Sequence, residues 1–175
     1  MADAEWPRWP WVRLLWCAVG IAAGLGFALY VVLPPRGEFF FAPLGASSMF
    51  LFGWTRMPAA QPRALLGGHL GCAAIGIACY QLFGDALWVY ALAQGFAVVY
   101  MLGCRTMHPP AGANPALMIH SQATPAALWD PVLLGLLCLM AVAVVWSRLY
   151  PGLARWPLRW WEPVPETRLS GGWKD

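Results

Sequence analysis

Charged side chains are scarce in this sequence. Lys, Arg, Asp and Glu make up 11% of its 175 residues, against about 25% in soluble domains. Apolar residues make up 60%, and the net charge is only +3. No basic stripe with interleaved polar residues indicates nucleic-acid binding. Because a core alone does not require so much apolar surface, the composition predicts an integral membrane protein whose solvent is the lipid bilayer.

The sequence also lacks the patterns of common catalytic and metal sites. Five cysteines are present, but none forms a C-x-x-C pair, so neither a zinc site nor a disulfide framework is predicted. The three histidines do not share metal-ligand spacing. No nucleophile elbow, phosphate loop or paired carboxylate is found. We therefore expect no enzyme, no cofactor and no bound metal.

Apolar runs predict an all-α fold with four transmembrane helices in a single domain, 1–175. The runs are 14–33, 64–83, 86–103 and a last one from 130 to about 150. The first has 20 residues without a charge and would extend about 30 Å, the thickness of the hydrocarbon layer. Tryptophans near arginines predict interfacial segments at 1–10 and 151–175, on either side of a membrane core at 11–150.

The distribution of Lys and Arg predicts the orientation. Four spans put both termini and the turn at 84–85 on one side, and that side has more basic residues, so both termini are expected in the cytoplasm. The cytoplasmic set is Arg8, Arg13, Arg148, Arg155, Arg159, Arg168 and Lys174. The opposite set is Arg36, Arg56, Arg63 and Arg105.

Two segments that interrupt the apolar runs resemble each other. The pattern Pro-x-Gly-Ala, followed by a small polar residue, occurs in 42–50 and again in 104–117, at an offset of 67 residues. At the same offset Pro-Ala-Ala at 58–60 returns at 125–127. We interpret this as a parallel internal repeat, since each half contains two full spans.

The segments 40–54 and 109–120 are short, and the sequence leaves open whether they are re-entrant or full spans. We expect two short re-entrant helices, since Pro and Gly suit helix N-termini that point into the protein. Two such N-termini facing each other would bind an anion through backbone N–H groups. The candidate substrate-binding residues are Gly45, Ala46, Ser47, Ser48, His108, Gly112, Ala113 and Asn114.

Three further residues are candidates for attracting or gating the anion. Arg63 precedes the predicted span 64–83, and Arg105 precedes the His-Pro-Pro triplet at 108–110. His69 lies inside an apolar helix. An ionisable residue within a membrane helix is a functional candidate. The alternatives remain open: the arginines could be ordinary membrane-flanking residues, His69 could make an interhelical hydrogen bond, and His108 could hold a loop carbonyl.

Several blocks of the sequence resemble the HPP family of integral membrane proteins. In the second half these are Thr106 and the run His-Pro-Pro-Ala-Gly-Ala at 108–113. In the first half they are Gly-Ala-Ser at 45–47, Leu-Phe-Gly at 51–53, Gln-Pro-Arg at 61–63 and Gly-Gly-His at 67–69. The resemblance implies four transmembrane helices. It also implies anion transport, because family members in plastids and cyanobacteria are linked to nitrite.

The sequence therefore predicts a multi-pass protein of the bacterial inner membrane that transports a small inorganic anion, with nitrite as the leading substrate. Because a unit of four helices is small for a transporter, a homo-oligomer is expected. One alternative is a membrane scaffold or subunit of a larger complex without transport activity. Another is a membrane enzyme that uses His108.

Overall fold

The computed structural model describes residues 10–32, 41–150 and 154–163. Within these ranges the chain is all-helical, and no residue belongs to a β-strand. The predictions made for 1–9, 33–40, 151–153 and 164–175 lie outside the described residues. These ranges include almost all of the N-terminal interfacial segment and much of the C-terminal one.

Six α-helices are present in the described ranges. They are α1 (Pro10–Val32), α2 (Ala42–Phe52), α3 (Pro62–Phe83), α4 (Leu87–Gly103), α5 (Asn114–His120) and α6 (Leu134–Leu149). Short 3₁₀ turns occupy Pro58–Ala60, Pro109–Ala113 and Pro125–Leu128, and a π-helical stretch, Trp129–Leu133, leads into α6. Proline is at the first or second position of α2, α3, α5 and each 3₁₀ turn. Its missing N–H costs nothing there.

Three helical segments are long and apolar enough to cross a membrane: Trp11–Val32, Pro62–Phe83 and Pro125–Leu149. The helix α4 has 17 residues and α2 has 11, so both are shorter apolar helices. The helices α1 and α3 begin at Pro10 and Pro62, a few residues before the predicted starts of the spans at 14 and 64. Proline fits the first turn of a helix, so both prolines belong to the helices that they open. The predicted start of the last span, at 130, lies inside the π-helical stretch.

The repeated sequence corresponds to a repeated order of elements. Each half contains a helix of at least 16 residues, a short helix, a 3₁₀ turn at Pro-Ala-Ala and a second helix of at least 16 residues. The halves pack against each other, since α1 contacts α6 and α3 contacts α4. The segment before α5 is a 3₁₀ turn where the first half continues as α-helix, so the second short helix has only 7 residues.

Glycines allow these helices to pack closely. A Cβ atom on Gly20 of α1 would lie 2.6 Å from Nε1 of Trp146, and one on Gly24 would lie 2.8 Å from the ring of Phe52. On α3, a Cβ atom on Gly76 would lie 2.6 Å from Cα of Pro115. The backbones of α3 and α5 therefore touch where α5 begins.

One residue of the predicted interfacial tail is part of the core instead. Trp156 is fully buried, and its Nε1 donates a hydrogen bond to the carbonyl of Ala60 at 2.8 Å. Its backbone N–H donates to the hydroxyl of Ser147 at 3.0 Å. The side chain of Trp156 therefore packs inside the protein beside the Pro58–Ala60 turn, whereas the sequence predicted a segment lying along the membrane interface.

Candidate functional site

The hydroxyl of Ser47 lies at the centre of a buried polar network. Ser47 is in α2, one turn after Pro43, and its Oγ is 2.8 Å from the Pro43 carbonyl. The same Oγ lies 2.7 Å from Nε2 of His69 and 2.8 Å from Nε2 of His108. One hydroxyl thus joins a short helix of the first half to a long helix of the same half and to the motif of the second.

His69 of α3 uses its second ring nitrogen to bind Asn114. The Asn114 Nδ2 atom is 2.9 Å from Nδ1 of His69 and 3.1 Å from the carbonyl of His69. Because a carbonyl only accepts, the Asn114 atom there is the NH₂ group, and it donates to both. His69 Nδ1 therefore accepts, and its Nε2–H donates to Ser47.

His108 is held by a backbone carbonyl. Its Nδ1–H donates to the carbonyl of Ala59 at 2.7 Å, in the 3₁₀ turn that precedes α3. In the neutral ring Nε2 then has a lone pair, which accepts the hydroxyl proton of Ser47. The hydrogen bonds therefore run in one direction, from Asn114 through His69, Ser47 and His108 to Ala59.

The network has a second complete pattern that requires only one hydroxyl to rotate. If His108 takes a proton on Nε2, that nitrogen donates to Ser47, and the Ser47 hydroxyl donates to Pro43 instead. Ser47 would then accept from both histidines, which its two lone pairs permit. A proton can thus enter this site without leaving a ring nitrogen unpaired.

The four side chains of the network are almost completely removed from solvent. Ser47 and His108 are 0% exposed, His69 is 1% and Asn114 is 2%. The rings of His69 and His108 have centroids 5.1 Å apart, and Phe50 packs edge-on against His108 at 5.3 Å. Among the described residues, no group of three His, Cys, Asp or Glu side chains could hold a metal ion.

The sequence matches the model of the family described as "HPP, transmembrane region" over residues 6–157. This chain belongs to the HPP family. It is 26% identical to a transmembrane protein of Dictyostelium discoideum over 168 residues, which is 91% of this chain and 53% of that protein. A second Dictyostelium discoideum transmembrane protein is 27% identical over 124 residues, covering 66% of this chain and 43% of the relative.

This HPP chain thus spans about half the length of the curated relatives it matches. No solved structure matches it. The match to the HPP family extends over α1 to α6 and therefore includes every member of the buried network.

The structure brings together four of the predicted site residues and separates the others. Ser48 is buried, but its hydroxyl donates to the carbonyl of Gly45 in its own helix at 2.6 Å. Gly112 lies outside the network, where an added Cβ atom would be 3.4 Å from Nε2 of Gln94 on α4, and Ala113 is exposed. Gly45 and Ala46 are half-buried. The four network members meet through side chains, not through the backbone N–H groups of the Gly-Ala pairs.

The two candidate arginines of the HPP chain lie at one end of α3 and α4. Arg63 Nη2 donates to the carbonyl of Cys104 at 3.0 Å. Arg105 occupies the turn after α4 with a φ of 53°, in the left-handed region. Neither arginine contacts the Ser47 hydroxyl, so the predicted gating residues divide into His69 inside the network and the arginines outside it.

Sequence reasoning missed three polar groups near the site. The carbonyl of Ala59 holds His108, although the only sequence signal was the repeated Pro-Ala-Ala. Tyr100 lies against Gly71, and its hydroxyl donates to the carbonyl of Gly67 at 3.1 Å. Thr106 is buried, with no hydrogen-bond partner for its hydroxyl. Its place in the HPP-like block was the available signal.

Proposed function

We propose that this HPP chain moves a small inorganic anion across a membrane, with nitrite as the leading substrate. The observation that supports the proposal is the buried network, to which both halves of the repeat contribute: Ser47 from the first, His108 and Asn114 from the second. Ionisable groups at membrane depth are costly and mark ion or proton pathways by default.

The second hydrogen-bond pattern supports movement of a proton together with the anion. A proton on His108 gives the interior a positive charge that an anion can neutralise, and a paired charge costs far less to bury than a single one. Proton and anion entering together carry no net charge, so the membrane potential does not oppose the step. The Ser47 hydroxyl, which in that pattern donates to the carbonyl of Pro43, would then turn and donate to an oxygen of the anion.

In the proposed membrane arrangement α1, α3, α4 and α6 cross the bilayer, while α2 and α5 are re-entrant. The 17 residues of α4 would extend about 26 Å, a little less than a typical hydrocarbon layer. The 11 residues of α2 and 7 of α5 are far too short to cross. The Lys and Arg asymmetry supports cytoplasmic termini, and the proposed location is the bacterial inner membrane.

A homo-oligomer is part of this proposal, and α4 is the surface that supports it. Gln94 lies near the middle of α4 with an exposed side chain, and it makes no hydrogen bond to the described residues. Beside it, Gly95 has open space where a Cβ atom would be. An amide facing lipid lacks partners, whereas two copies of α4 would pair their amides and pack closely at glycine. Replacing Gln94 by Leu should therefore weaken association, measured by native mass spectrometry in detergent.

The alternative is a membrane scaffold or subunit without transport activity. One observation favours it: each ring nitrogen and the Ser47 hydroxyl already has a partner within the protein. A network in which every group is paired stabilises the packing of α2, α3 and the 3₁₀ turns, and this structural role requires no transport.

Uptake by proteoliposomes distinguishes transport from scaffolding. Vesicles with the purified chain are given nitrite, nitrate, formate, chloride or sulfate, and protein-free vesicles provide the leak rate. We expect nitrite uptake well above the leak and faster than sulfate uptake, since a doubly charged anion is not neutralised by one proton. Rates equal to the leak for all five anions would favour the scaffold.

A further inference from the structure

Beyond the buried network, two buried hydrogen-bond donors lie beside the first turn of α3, one on Arg63 and one on Thr106. The Nε atom of Arg63 and the Oγ1 atom of Thr106 are both inaccessible to solvent, and neither makes a hydrogen bond of normal geometry to the described residues, although the Thr106 hydroxyl lies next to that of Tyr100. Thr106 as a whole is only 5% exposed. Native proteins rarely leave such groups unpaired, so each needs an explanation.

Both donors belong to one small region of the fold. A Cβ atom on Gly67 would lie 2.6 Å from Cγ2 and 3.7 Å from Oγ1 of Thr106, and Arg63 is one turn earlier on α3. The guanidinium of Arg63 reaches the carbonyl of Cys104, two residues before Thr106. Tyr100 adds a hydroxyl at the same turn, bound to the carbonyl of Gly67. We call Arg63, Thr106 and Tyr100 the outer group.

The charge of Arg63 is also uncompensated. No carboxylate among the described residues forms an ion pair with it, and its guanidinium donates to a neutral carbonyl, that of Cys104. Water can pair with both donors, whereas an anion can pair with both and also neutralise the charge of the half-buried Arg63. An anion satisfies both requirements, and a flat, small one accepts from a guanidinium edge and a hydroxyl at once.

The backbone segment 106–108 connects the outer group to the network. Thr106 and His108 are two residues apart in a non-helical segment that lies against Gly67 and Gly68. A Cβ atom on Gly68 would be 3.0 Å from the carbonyl of Thr106 and 3.1 Å from Cβ of His108. An anion at the outer group would therefore be next to the His108 side of the network.

We propose that Arg63, Thr106 and Tyr100 form a binding site for a small monovalent oxyanion, distinct from the buried network. Arg63 Nε–H and the Thr106 hydroxyl donate to it, and the Tyr100 hydroxyl borders it. The site rests on the transport proposal only for its role as the entry point. The binding of the anion itself does not depend on transport.

Binding can be measured on the purified full chain without transport. Thermal unfolding in detergent is followed against sodium nitrite, with sodium gluconate keeping the ionic strength constant. We expect nitrite to raise the unfolding temperature of the wild type. In Thr106→Val and Arg63→Lys the concentration giving half of that rise should increase about tenfold, the effect of losing one charge-assisted hydrogen bond. Lysine keeps the charge but has no Nε–H in that position.

Matched variants distinguish the loss of this binding site from general effects of substitution on charge and folding. Arg56→Lys and Thr124→Val change exposed residues of the same types and should bind nitrite as the wild type does. Thr106→Ser keeps the hydroxyl and should also bind normally, while a cooperative unfolding transition of Thr106→Val without nitrite shows that this variant is folded. The proposal is overturned if the wild type gains no stability from nitrite, or if either Thr106→Val or Arg63→Lys keeps the wild-type concentration.

The uptake assay distinguishes this result from the transport proposal. Nitrite uptake without a nitrite-dependent rise in unfolding temperature would leave transport standing and remove the outer site. A rise that depends on Arg63 and Thr106, in a chain that takes up no nitrite, would keep the site and remove transport.

Discussion

Ser47 and Asn114 occupy the same position in the two repeats, and they bind opposite ring nitrogens of one histidine. Ser47 Oγ is 2.7 Å from Nε2 of His69, and Asn114 Nδ2 is 2.9 Å from Nδ1. His69 belongs to the first half only, since the corresponding region of α6 is apolar. The repeat thus builds a symmetric pair of polar groups around an asymmetric, titratable centre.

Removing the Ser47 hydroxyl should destabilise the protein more than removing a hydroxyl elsewhere. In Ser47→Ala the Nε2 atoms of His69 and His108 lose their common partner, and an unsatisfied buried polar group costs about 1–3 kcal/mol. Ser121→Ala is the control, because the Ser121 hydroxyl donates only to carbonyls of its own turn, those of Leu117 and Met118. Denaturant unfolding in detergent measures both. Equal losses would show that the network adds nothing to stability.

Replacing His108 by Ala should remove the pH dependence of uptake. In the wild type, uptake should rise as the pH falls below about 6, because a ring as deeply buried as that of His108 takes up its proton only at acid pH, and the protonated ring supplies the charge that pairs with the anion. His69 is the titratable side chain that faces His108, and it remains in the variant. The measurement is nitrite uptake against pH in matched vesicles. Superimposable profiles would exclude His108 from proton transfer, and its remaining role would be the hydrogen bond to the carbonyl of Ala59.

Glycines at two helix positions should respond oppositely to alanine. Gly76→Ala places a Cβ atom 2.6 Å from Cα and 2.7 Å from the carbonyl oxygen of Pro115. Because backbone must then move, a loss of about 1–3 kcal/mol is expected. Gly26→Ala, on α1, meets open space and should change stability by no more than about 1 kcal/mol, in the stabilising direction expected from helix propensity. Thermal unfolding of both variants tests the close packing of α3 on α5, which a neutral Gly76→Ala would contradict.

Trp156 should matter far more than its exposed neighbour Trp160. Trp156→Phe removes the donor to the carbonyl of Ala60 and leaves that buried oxygen unpaired, at a cost of about 1–3 kcal/mol. Trp160 is 53% exposed, so Trp160→Phe should be close to neutral. If both substitutions had the same small effect on the unfolding temperature, the burial of Trp156 would have no energetic role.

The elements of the fold could be predicted from hydropathy because long apolar runs leave few alternatives in lipid. Their starts could not, since Pro10 and Pro62 look like helix breakers but occupy first turns. The burial of Trp156 was also missed. Tryptophan beside arginine is typical of a membrane interface. Only the contact of Trp156 with Ala60, which is distant in sequence, places it in the core.

Ser47, His108 and Asn114 could be predicted from the two similar segments and His69 from its place inside an apolar helix, but the chemistry of the network could not. Ser47, His69, His108 and Asn114 were all candidates, yet the sequence suggested backbone N–H groups as the ligands. The hydrogen bonds among the four depend on how α2, α3 and the 3₁₀ turn before α5 meet. Periodicity within one helix does not contain that information.

The central claim is that an anion and a proton pass together through the Ser47 network. The most direct test is nitrite uptake into proteoliposomes driven by an acid exterior, with protein-free vesicles subtracted to remove passive entry of nitrous acid. The wild type and Ser121→Ala should respond equally to the pH gradient. In Ser47→Ala the rate should fall about tenfold, since the link between the two histidines is lost. Wild-type uptake no faster than in protein-free vesicles, or unchanged uptake in Ser47→Ala, would contradict the account.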